Sequence, residues 1–182
     1  MNILITGGAG YLGSVITRNL LENHSVTVMD NLMYNQTSLV DLFRNTNFKF
    51  IYGDVRDYKL LIEQVMKHDV IIPLAGIVGF PSCEKDKQLA TQVNYNQIKD
   101  IVDNIHTDQR LLYPNTNSGY GSRGDGMVTE EDNLTPISHY GITKCDAEDY
   151  IKNNSNGIIF RLATVFGVSS RMRLDLLVNE FV

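Results

Sequence analysis

Short apolar runs alternate with stretches of helical periodicity along most of the chain. Residues 3–6 form the first apolar run, and residues 10–21 then carry apolar side chains at helical spacing. The same reasoning predicts further strands at 25–29, 49–52, 70–74, 110–113 and 157–162, and further helices at 37–44, 60–66, 88–105 and 140–151. This regular alternation is typical of a parallel sheet with helices on both faces.

The predicted fold class is therefore α/β, a Rossmann-type doubly wound parallel sheet with strand order 3-2-1-4-5-6. Residues 116–136 are rich in Gly, Ser, Asn and Asp, and we expect them to form one long loop, which in a compact domain is usually functional. Residues 171–182 begin an amphipathic helical pattern, and no closing cap follows it.

Composition narrows the function classes. The 182 residues include 16 Lys and Arg against 21 Asp and Glu, a net charge of -5, so we expect no nucleic-acid partner. No apolar run approaches the roughly 20 residues that cross a bilayer, so we expect no membrane partner. Cys83 and Cys145 lie far apart and are expected to be free thiols. With no secretory leader pattern at residues 1–6, this favours a cytoplasmic protein. The histidines lack paired spacing, so we expect no metal site.

Three glycines follow the first strand. Gly7, Gly10 and Gly13 are spaced G-x-x-G-x-x-G, one residue longer in the first interval than the dinucleotide fingerprint. The first permits a tight turn, the second lets backbone approach a pyrophosphate, and the third lets the helix pack closely on the strand. The helix N-terminus, which includes Tyr11 and Leu12, offers free N–H groups and a positive dipole end to phosphates. We predict a phosphate-binding turn, with a purely structural turn as the alternative.

An acidic residue, Asp30, ends the second strand. A carboxylate at this position accepts hydrogen bonds from the adenosine ribose hydroxyls and repels a 2′-phosphate. The alternative is a solvated carboxylate at a strand end. Glycine turn, strand and acid together predict a dinucleotide site that takes NAD rather than NADP.

Tyr140 and Lys144 are spaced i, i+4, so on a helix they share a face. A cation beside a phenol favours the phenolate, and we therefore expect the pKa of Tyr140 to be lowered from about 10. Such a phenol could act as a general base near neutral pH. The alternative is a Tyr packed at a helix edge beside a solvated Lys.

Several motifs taken together resemble the extended short-chain dehydrogenase/reductases, and most of all their NAD-dependent sugar-nucleotide epimerase/dehydratase family. These motifs are TGGAGYLG at 6–13, Asp30, GDVRD at 53–57 and YGITK at 140–144. The resemblance extends through RLATVFG at 161–167 and so covers essentially the whole chain.

The resemblance implies roles for residues that match family motifs. Tyr140 is the implied base, Lys144 also holds the nicotinamide ribose, and Thr116 hydrogen-bonds the sugar oxygen that loses its proton. Asp30 and Asn31 meet the adenosine ribose. The other implied cofactor contacts are Asp54 and Val55 at the adenine edge, and Leu74, Ala75 and Gly76 beside the central region of the cofactor.

The activity implied is that of an NAD-dependent oxidoreductase or epimerase acting on a nucleotide-diphosphate sugar, at C4. Three positions depart from the family pattern: Pro73 replaces a frequent His, Gly76 an Ala, and Thr164 an Asn of some epimerases. Asn117 and Ser118 stand where the sugar 4,6-dehydratases have an Asp-Glu pair, which favours epimerisation or simple oxidation over elimination. A non-catalytic NAD-binding module or sensor is the alternative.

The resemblance also implies a homodimer, and the apolar residues of helices 88–105 and 140–152 favour it. These include Val93, Ile98, Ile101, Val102 and Ile105; the alternative is that they cover only the domain's own sheet. We divide the chain into an NAD-binding domain, residues 1–168, and the start of a truncated substrate-binding region, residues 169–182. With the C-terminal substrate domain largely missing, we expect the chain to bind NAD and to turn over poorly.

Overall fold

A computed structural model describes residues 1–122 and 126–181, and within them six parallel strands form one sheet. The strands are β1 (Asn2–Thr6), β2 (Ser25–Asp30), β3 (Phe48–Tyr52), β4 (Val70–Pro73), β5 (Arg110–Thr116) and β6 (Ile158–Leu162). Their order is β3-β2-β1-β4-β5-β6, and every neighbouring pair is parallel. The predicted Rossmann-type doubly wound sheet is confirmed.

The helices are α1 (Tyr11–Leu20), α2 (Tyr58–Val65), α3 (Phe80–Lys85), α4 (Lys87–Thr91), α5 (Gln97–Asn104), α6 (His139–Asn154) and α7 (Leu177–Glu180). A π-helical turn, Gln92–Asn96, joins α4 to α5, so the predicted helix 88–105 exists but carries a local widening. Short 3₁₀ turns occupy Val40–Arg44 and Asn117–Tyr120.

Sequence periodicity was wrong in three places. The helix expected at 37–44 is a 3₁₀ turn, and α3 was not expected. Of the tail at 171–182, only Leu177–Glu180 is helical among the residues described. The segment before it is not helical, and within it the Arg173 guanidinium pairs with the Asp175 carboxylate at 2.6 Å. The division at residue 168 stays a prediction.

Both faces of the sheet are apolar, as a sheet covered by helices on each side requires. Leu4 and Ile71 face one way and pack with residues of α2, α5 and α6, whereas Ile3, Ile5 and Ile72 face the other. Each of these five side chains is at most 7% exposed. Both cysteines are free, as predicted, and both are buried.

The apolar residues that favoured a dimer belong to the chain's own core. Ile98, Ile101 and Val102 are at most 5% exposed and form one cluster, against which Ile105 packs. Val93 is 8% exposed and belongs to a second buried cluster with Ile77. Because they cover the sheet, they are not available to a second copy, so the alternative weighed for them is correct. Dimerisation itself stays a prediction, now without their support. Among residues 1–122 and 126–181, no helix is both long and apolar enough to cross a membrane.

Strand register brings the carboxyl ends together at one edge. Thr6 pairs with Met29 on one side and with Pro73 on the other. Strands β4 and β5 are in register only at Val70 with Arg110 and Ile71 with Leu111, near their amino ends. Ligands of doubly wound sheets bind at the carboxyl edge, at the switch in strand order, which here lies between β1 and β4.

Candidate active site

A cleft of about 980 Å³ opens at this carboxyl edge. It is lined by every residue that the sequence predicted for the site: Gly7, Gly10, Tyr11, Leu12, Gly13, Asp30, Asn31, Asp54, Val55, Leu74, Ala75, Gly76, Thr116, Tyr140 and Lys144. Residues from six separate segments of the chain therefore converge on one concave surface. Their individual roles stay predictions.

The glycine turn is shaped for close approach of backbone. Gly7 has φ +70°, and a Cβ there would lie 2.5–2.8 Å from backbone atoms of Leu74 and Ala75. A Cβ on Gly13 would lie 2.5 Å from the Gly8 Cα atom. Helix α1 starts after Gly10 without a side-chain cap, so its first amides remain available to a ligand. An uncapped helix start beside a side-chain-free turn fits a pyrophosphate.

Asp30 is buried, with 7% of its surface exposed, and it braces the turn. Its carboxylate accepts hydrogen bonds from the Ala9 amide at 3.0 Å, the Leu32 amide at 2.8 Å and the Gln36 side chain at 3.3 Å. Burial raises the pKa of Asp30, while the two amide donors act in the opposite direction. The Asp30 carboxylate therefore joins the end of β2 to the glycine turn. Sequence reasoning predicted only a contact with ribose and missed this structural role.

The part of the cleft near Asp54 and Val55, predicted to contact the adenine, carries a charge pair that was not predicted. Arg56 donates to both carboxylate oxygens of Asp54, at 2.9 and 2.8 Å, and Asn31 adds a third bond at 3.0 Å. This pairing holds the pKa of Asp54 well below its usual range. Val55, 6% exposed, packs into an apolar cluster with Ile77. The GDVRD motif contained the signal for the pair, since Arg56 lies two residues after Asp54.

Buried amides hold the backbone after β4 beside the glycine turn. The Gln97 side chain donates to the Ala75 carbonyl at 2.6 Å. From the π-helical turn, Asn94 accepts from the Ile77 amide at 2.8 Å and donates to the Ile77 carbonyl at 3.0 Å. Both side chains are at most 2% exposed. Their only sequence signal is polarity on a face that should be apolar, and they were missed.

Tyr140 opens α6, where the Ser138 hydroxyl caps the helix by accepting from the Gly141 amide at 3.1 Å. Burial raises the pKa of Tyr140, and a hydrogen bond with the Thr116 side chain partly offsets that rise. The predicted lowering of this pKa is therefore wrong in direction. Helical spacing places a lysine nearby but says nothing about desolvation, which disfavours the phenolate. Thr116 and Tyr140 both line the cleft, and the role of each stays a prediction.

Lys144 points its ammonium group at β5. Its Nζ donates to the Pro114 carbonyl at 2.8 Å and lies 4.0 Å from the centroid of the Tyr113 ring. Burial lowers the pKa of Lys144 to about 7. The ammonium is thus easily deprotonated near neutral pH, which is a second reason why it does not drive Tyr140 to the phenolate.

The segment after β6 crosses back over the phosphate turn. The Tyr11 hydroxyl donates to the Gly167 carbonyl at 2.6 Å and accepts from the Asn179 side chain at 3.0 Å. Arg171 and Arg173 line the cleft from this segment. Among the described residues no group of three His, Cys, Asp or Glu side chains could hold a metal ion. Asp125, an acidic residue of the loop 116–136 that we expect to be solvated rather than a metal ligand, lies outside the described residues.

Known proteins share both the sequence and the fold. The chain is 31% identical over 159 residues to the low-salt glycan biosynthesis protein Agl12 of Haloferax volcanii, covering 84% of this chain and 51% of that protein. It is 30% identical over 160 residues to a dTDP-glucose 4,6-dehydratase of Streptomyces niveus, covering 79% and 46%. A crystal structure of UDP-glucuronic acid 4-epimerase from Bacillus cereus, with UDP-glucuronic acid and NAD, superposes with TM-score 0.86 and 30% identity, covering 98% and 61%.

The chain spans about half to three fifths of the length of the relatives that it matches. Its match to the family extends over residues 3–181, which is nearly the whole chain. The motifs at 6–13, 53–57 and 140–144 all fall within that match, and each of them contributes residues to the lining of the cleft. The chain belongs to the NAD dependent epimerase/dehydratase family.

Proposed function

We propose that the chain binds NAD in the cleft and forms the cofactor half of an enzyme that epimerises a nucleotide-diphosphate sugar at C4. The observation that carries this proposal is that Tyr140, Lys144 and Thr116 line the same cleft as the uncapped glycine turn. In it the turn at 7–13 holds the pyrophosphate, Asp30 and Asn31 the adenosine ribose, and Asp54 with Val55 the adenine edge. Leu74, Ala75 and Gly76 lie beside the middle of the cofactor.

The protein's part in the chemistry is to move one proton. The Tyr140 phenolate takes the proton of a sugar hydroxyl. A bound NAD would supply the acceptor for the hydride that leaves the same carbon. Because burial raises the pKa of Tyr140, its phenolate needs nearby donors. We propose that the Thr116 hydroxyl supplies one such donor. Lys144 also reaches the nicotinamide ribose in this proposal.

The substrate class is inferred from the relatives and from charge. Arg171 and Arg173 line the cleft, and guanidinium groups pair well with a diphosphate. The Arg173 guanidinium already pairs with Asp175, so Arg171 is the stronger candidate for this contact. The B. cereus relative is a 4-epimerase with a UDP-sugar bound, which supports a nucleotide-sugar substrate and oxidation at its C4.

Elimination of water is disfavoured by the residues after Thr116. Asn117 and Ser118 lie in a 3₁₀ turn, where the Thr116 hydroxyl donates to the Ser118 hydroxyl at 3.1 Å. Neither side chain can act as the carboxylic acid or carboxylate that an elimination uses. A 4-keto sugar formed here is therefore expected to be reduced again rather than dehydrated.

Replacing Tyr140 with Phe tests the proposal, because it keeps the ring and removes the base. A protein carrying this chain is assayed with NAD and a panel of UDP- and dTDP-hexoses, following NADH absorbance and the configuration of the product. Turnover should fall about 10²–10⁴-fold, the usual contribution of general acid–base catalysis, while NAD affinity changes little. Full activity in Tyr140→Phe, or a 4-keto-6-deoxy product, would refute it. NAD binding without turnover of any sugar would support a sensor instead.

A further inference from the structure

One buried aromatic residue next to the site has no role in the proposed reaction. Tyr113 lies in β5 with 0% of its surface exposed, and its hydroxyl has no hydrogen-bond partner in the part of the chain that the structure describes. A buried polar group left without a partner is unfavourable, and Phe would fill nearly the same space without it. The contact that this residue makes with the site therefore comes from its ring, which lies against the Lys144 ammonium.

Within residues 1–122 and 126–181, the Lys144 ammonium forms no salt bridge with a carboxylate. Glu148, one helical turn further along α6, is fully buried, and its carboxylate accepts hydrogen bonds from Arg161, Lys152 and Asn115. That negative charge is already matched by two cations. The Cys145 thiol also acts on Lys144, and the Tyr140 phenol acts on the neighbouring Tyr113. Burial raises the pKa of both groups.

Two contacts from β5 are left to hold the ammonium. The Pro114 carbonyl accepts a hydrogen bond at 2.8 Å, and the ring centroid of Tyr113 lies 4.0 Å from Nζ. The face of an aromatic ring attracts a cation at this distance, and the attraction is stronger where water is excluded. The two contacts come from consecutive residues, so β5 fixes the position of the ammonium as one unit.

We propose that Tyr113 is a positioning residue that holds the Lys144 ammonium at the catalytic end of the cleft through the face of its aromatic ring. This inference rests on the proposed function only in that Lys144 serves Tyr140 and the nicotinamide ribose. The ring keeps the lysine charged and oriented where burial would otherwise favour the neutral amine. The Tyr113 hydroxyl takes no part, which separates this role from proton transfer.

The test measures the pKa of Lys144 directly, in the 182-residue chain, by NMR titration of the lysine Cε and Nζ signals. The signal is assigned by its loss in Lys144→Met. In Tyr113→Phe, which keeps the ring, we expect the same pKa as in the unchanged chain and an equal or higher unfolding temperature. In Tyr113→Leu, which removes the ring, the pKa should fall by about one. If Leu does not fold, Tyr113→Met fills more of the space, also without an aromatic face.

The result that would overturn the proposal is an equal Lys144 pKa in the Phe and Leu (or Met) variants. A merely structural role for Tyr113 would change the unfolding temperature in the Leu variant and leave the Lys144 pKa where it was. NAD affinity, measured by calorimetry on the same variants, should be retained in Phe and fall about threefold to tenfold in Leu. Because the titration needs neither substrate nor turnover, its outcome is independent of the Tyr140→Phe assay.

Discussion

The two ends of the cleft are built in different ways. At the phosphate end, backbone makes the site: Gly7 lies against the Leu74 and Ala75 backbone, and Asp30 accepts bonds from two main-chain amides. At the catalytic end, side chains make the site, and Tyr140, Lys144 and Tyr113 all have pKa values moved by burial. The first end depends on close steric fit, whereas the second depends on the cost of charge away from water.

This difference predicts different consequences of mutation. A change at the phosphate end should disturb folding and cofactor binding together, because the same backbone contacts serve both. A change at the catalytic end should alter protonation and turnover while the sheet stays intact. The following changes test that separation, starting with the largest expected effect.

Gly7→Ala should be the most damaging single change. The new Cβ would lie 2.5–2.8 Å from the backbone of residues 74 and 75, and the residue would keep a φ of +70° that side chains disfavour. We expect a loss of about 3 kcal/mol or more in the free energy of unfolding, and NAD affinity lower by at least about 100-fold. Urea denaturation and calorimetry measure the two effects.

Gly126→Ala is the matched control, since a Cβ at Gly126 meets nothing within 4 Å. Its free energy of unfolding should change by less than about 0.5 kcal/mol. If Gly7→Ala retained NAD affinity and stability equal to this control, the steric account of the phosphate end would be wrong.

The catalytic end should show itself in the pH dependence of stability. Burial lowers the pKa of Lys144 to about 7, whereas a lysine in an unfolded chain titrates near about 10.4. Between these values the unfolded chain binds one proton more, so this group makes the folded state more stable as pH rises. The gain accumulates above pH 7 and is complete above the unfolded pKa.

Lys144→Met removes that titration and leaves the rest. From pH 7 to pH 9 the free energy of unfolding of the unchanged chain, relative to Lys144→Met, should rise by about 2 kcal/mol. Cys83 and Cys145, whose pKa values are raised by burial, act in the opposite direction near pH 9. The effect of Cys83 is common to both proteins, and because Cys145 acts on Lys144, the comparison is made in a Cys145→Ala background. A difference that stays constant from pH 7 to pH 9 would mean that Lys144 is charged and solvated, and the contrast between the two ends would fail.

The sequence predicted the strand order and the tight glycine turn, but it gave the wrong direction for the pKa of Tyr140, for a physical reason. The turn at 6–13 is read from adjacent residues, and the strand order follows from alternation, so both were found. The identity of Tyr140 and Lys144 also came from local spacing, but the direction of the Tyr140 pKa depends on burial by distant segments. Tyr113 lies 31 residues before Lys144 and looks in the sequence like any strand core position.

Contacts between distant segments explain the other misses. Asn94 and Gln97 support the backbone after β4 from a helix about twenty residues away, and a π-helical turn aims the first of them. Residues 171–182 were expected to begin a helix because their periodicity is amphipathic. The segment from residue 167 onward instead follows hydrogen bonds to the Tyr11 side chain, whose position depends on the folded sheet.

Asp30 offers the finest test of the comparison, because it belongs to the phosphate end and yet acts through charge. Asp30→Asn keeps one acceptor oxygen, which can still serve the Leu32 amide, whereas Asp30→Ala leaves the Leu32 and Ala9 amides without this partner. Leaving two buried amides unpaired should cost about 2 kcal/mol in the free energy of unfolding for Ala, and about half of that for Asn. Both variants remove the negative charge that faces a 2′-phosphate, so both should narrow the preference for NAD over NADP, by about tenfold.

Calorimetry with each cofactor, beside urea denaturation, separates the two roles. Equal preference changes with unequal stability losses are expected. Tighter NADP than NAD binding in the unchanged chain would overturn the role of the charge, and equal stability losses in Asn and Ala would overturn the bracing role.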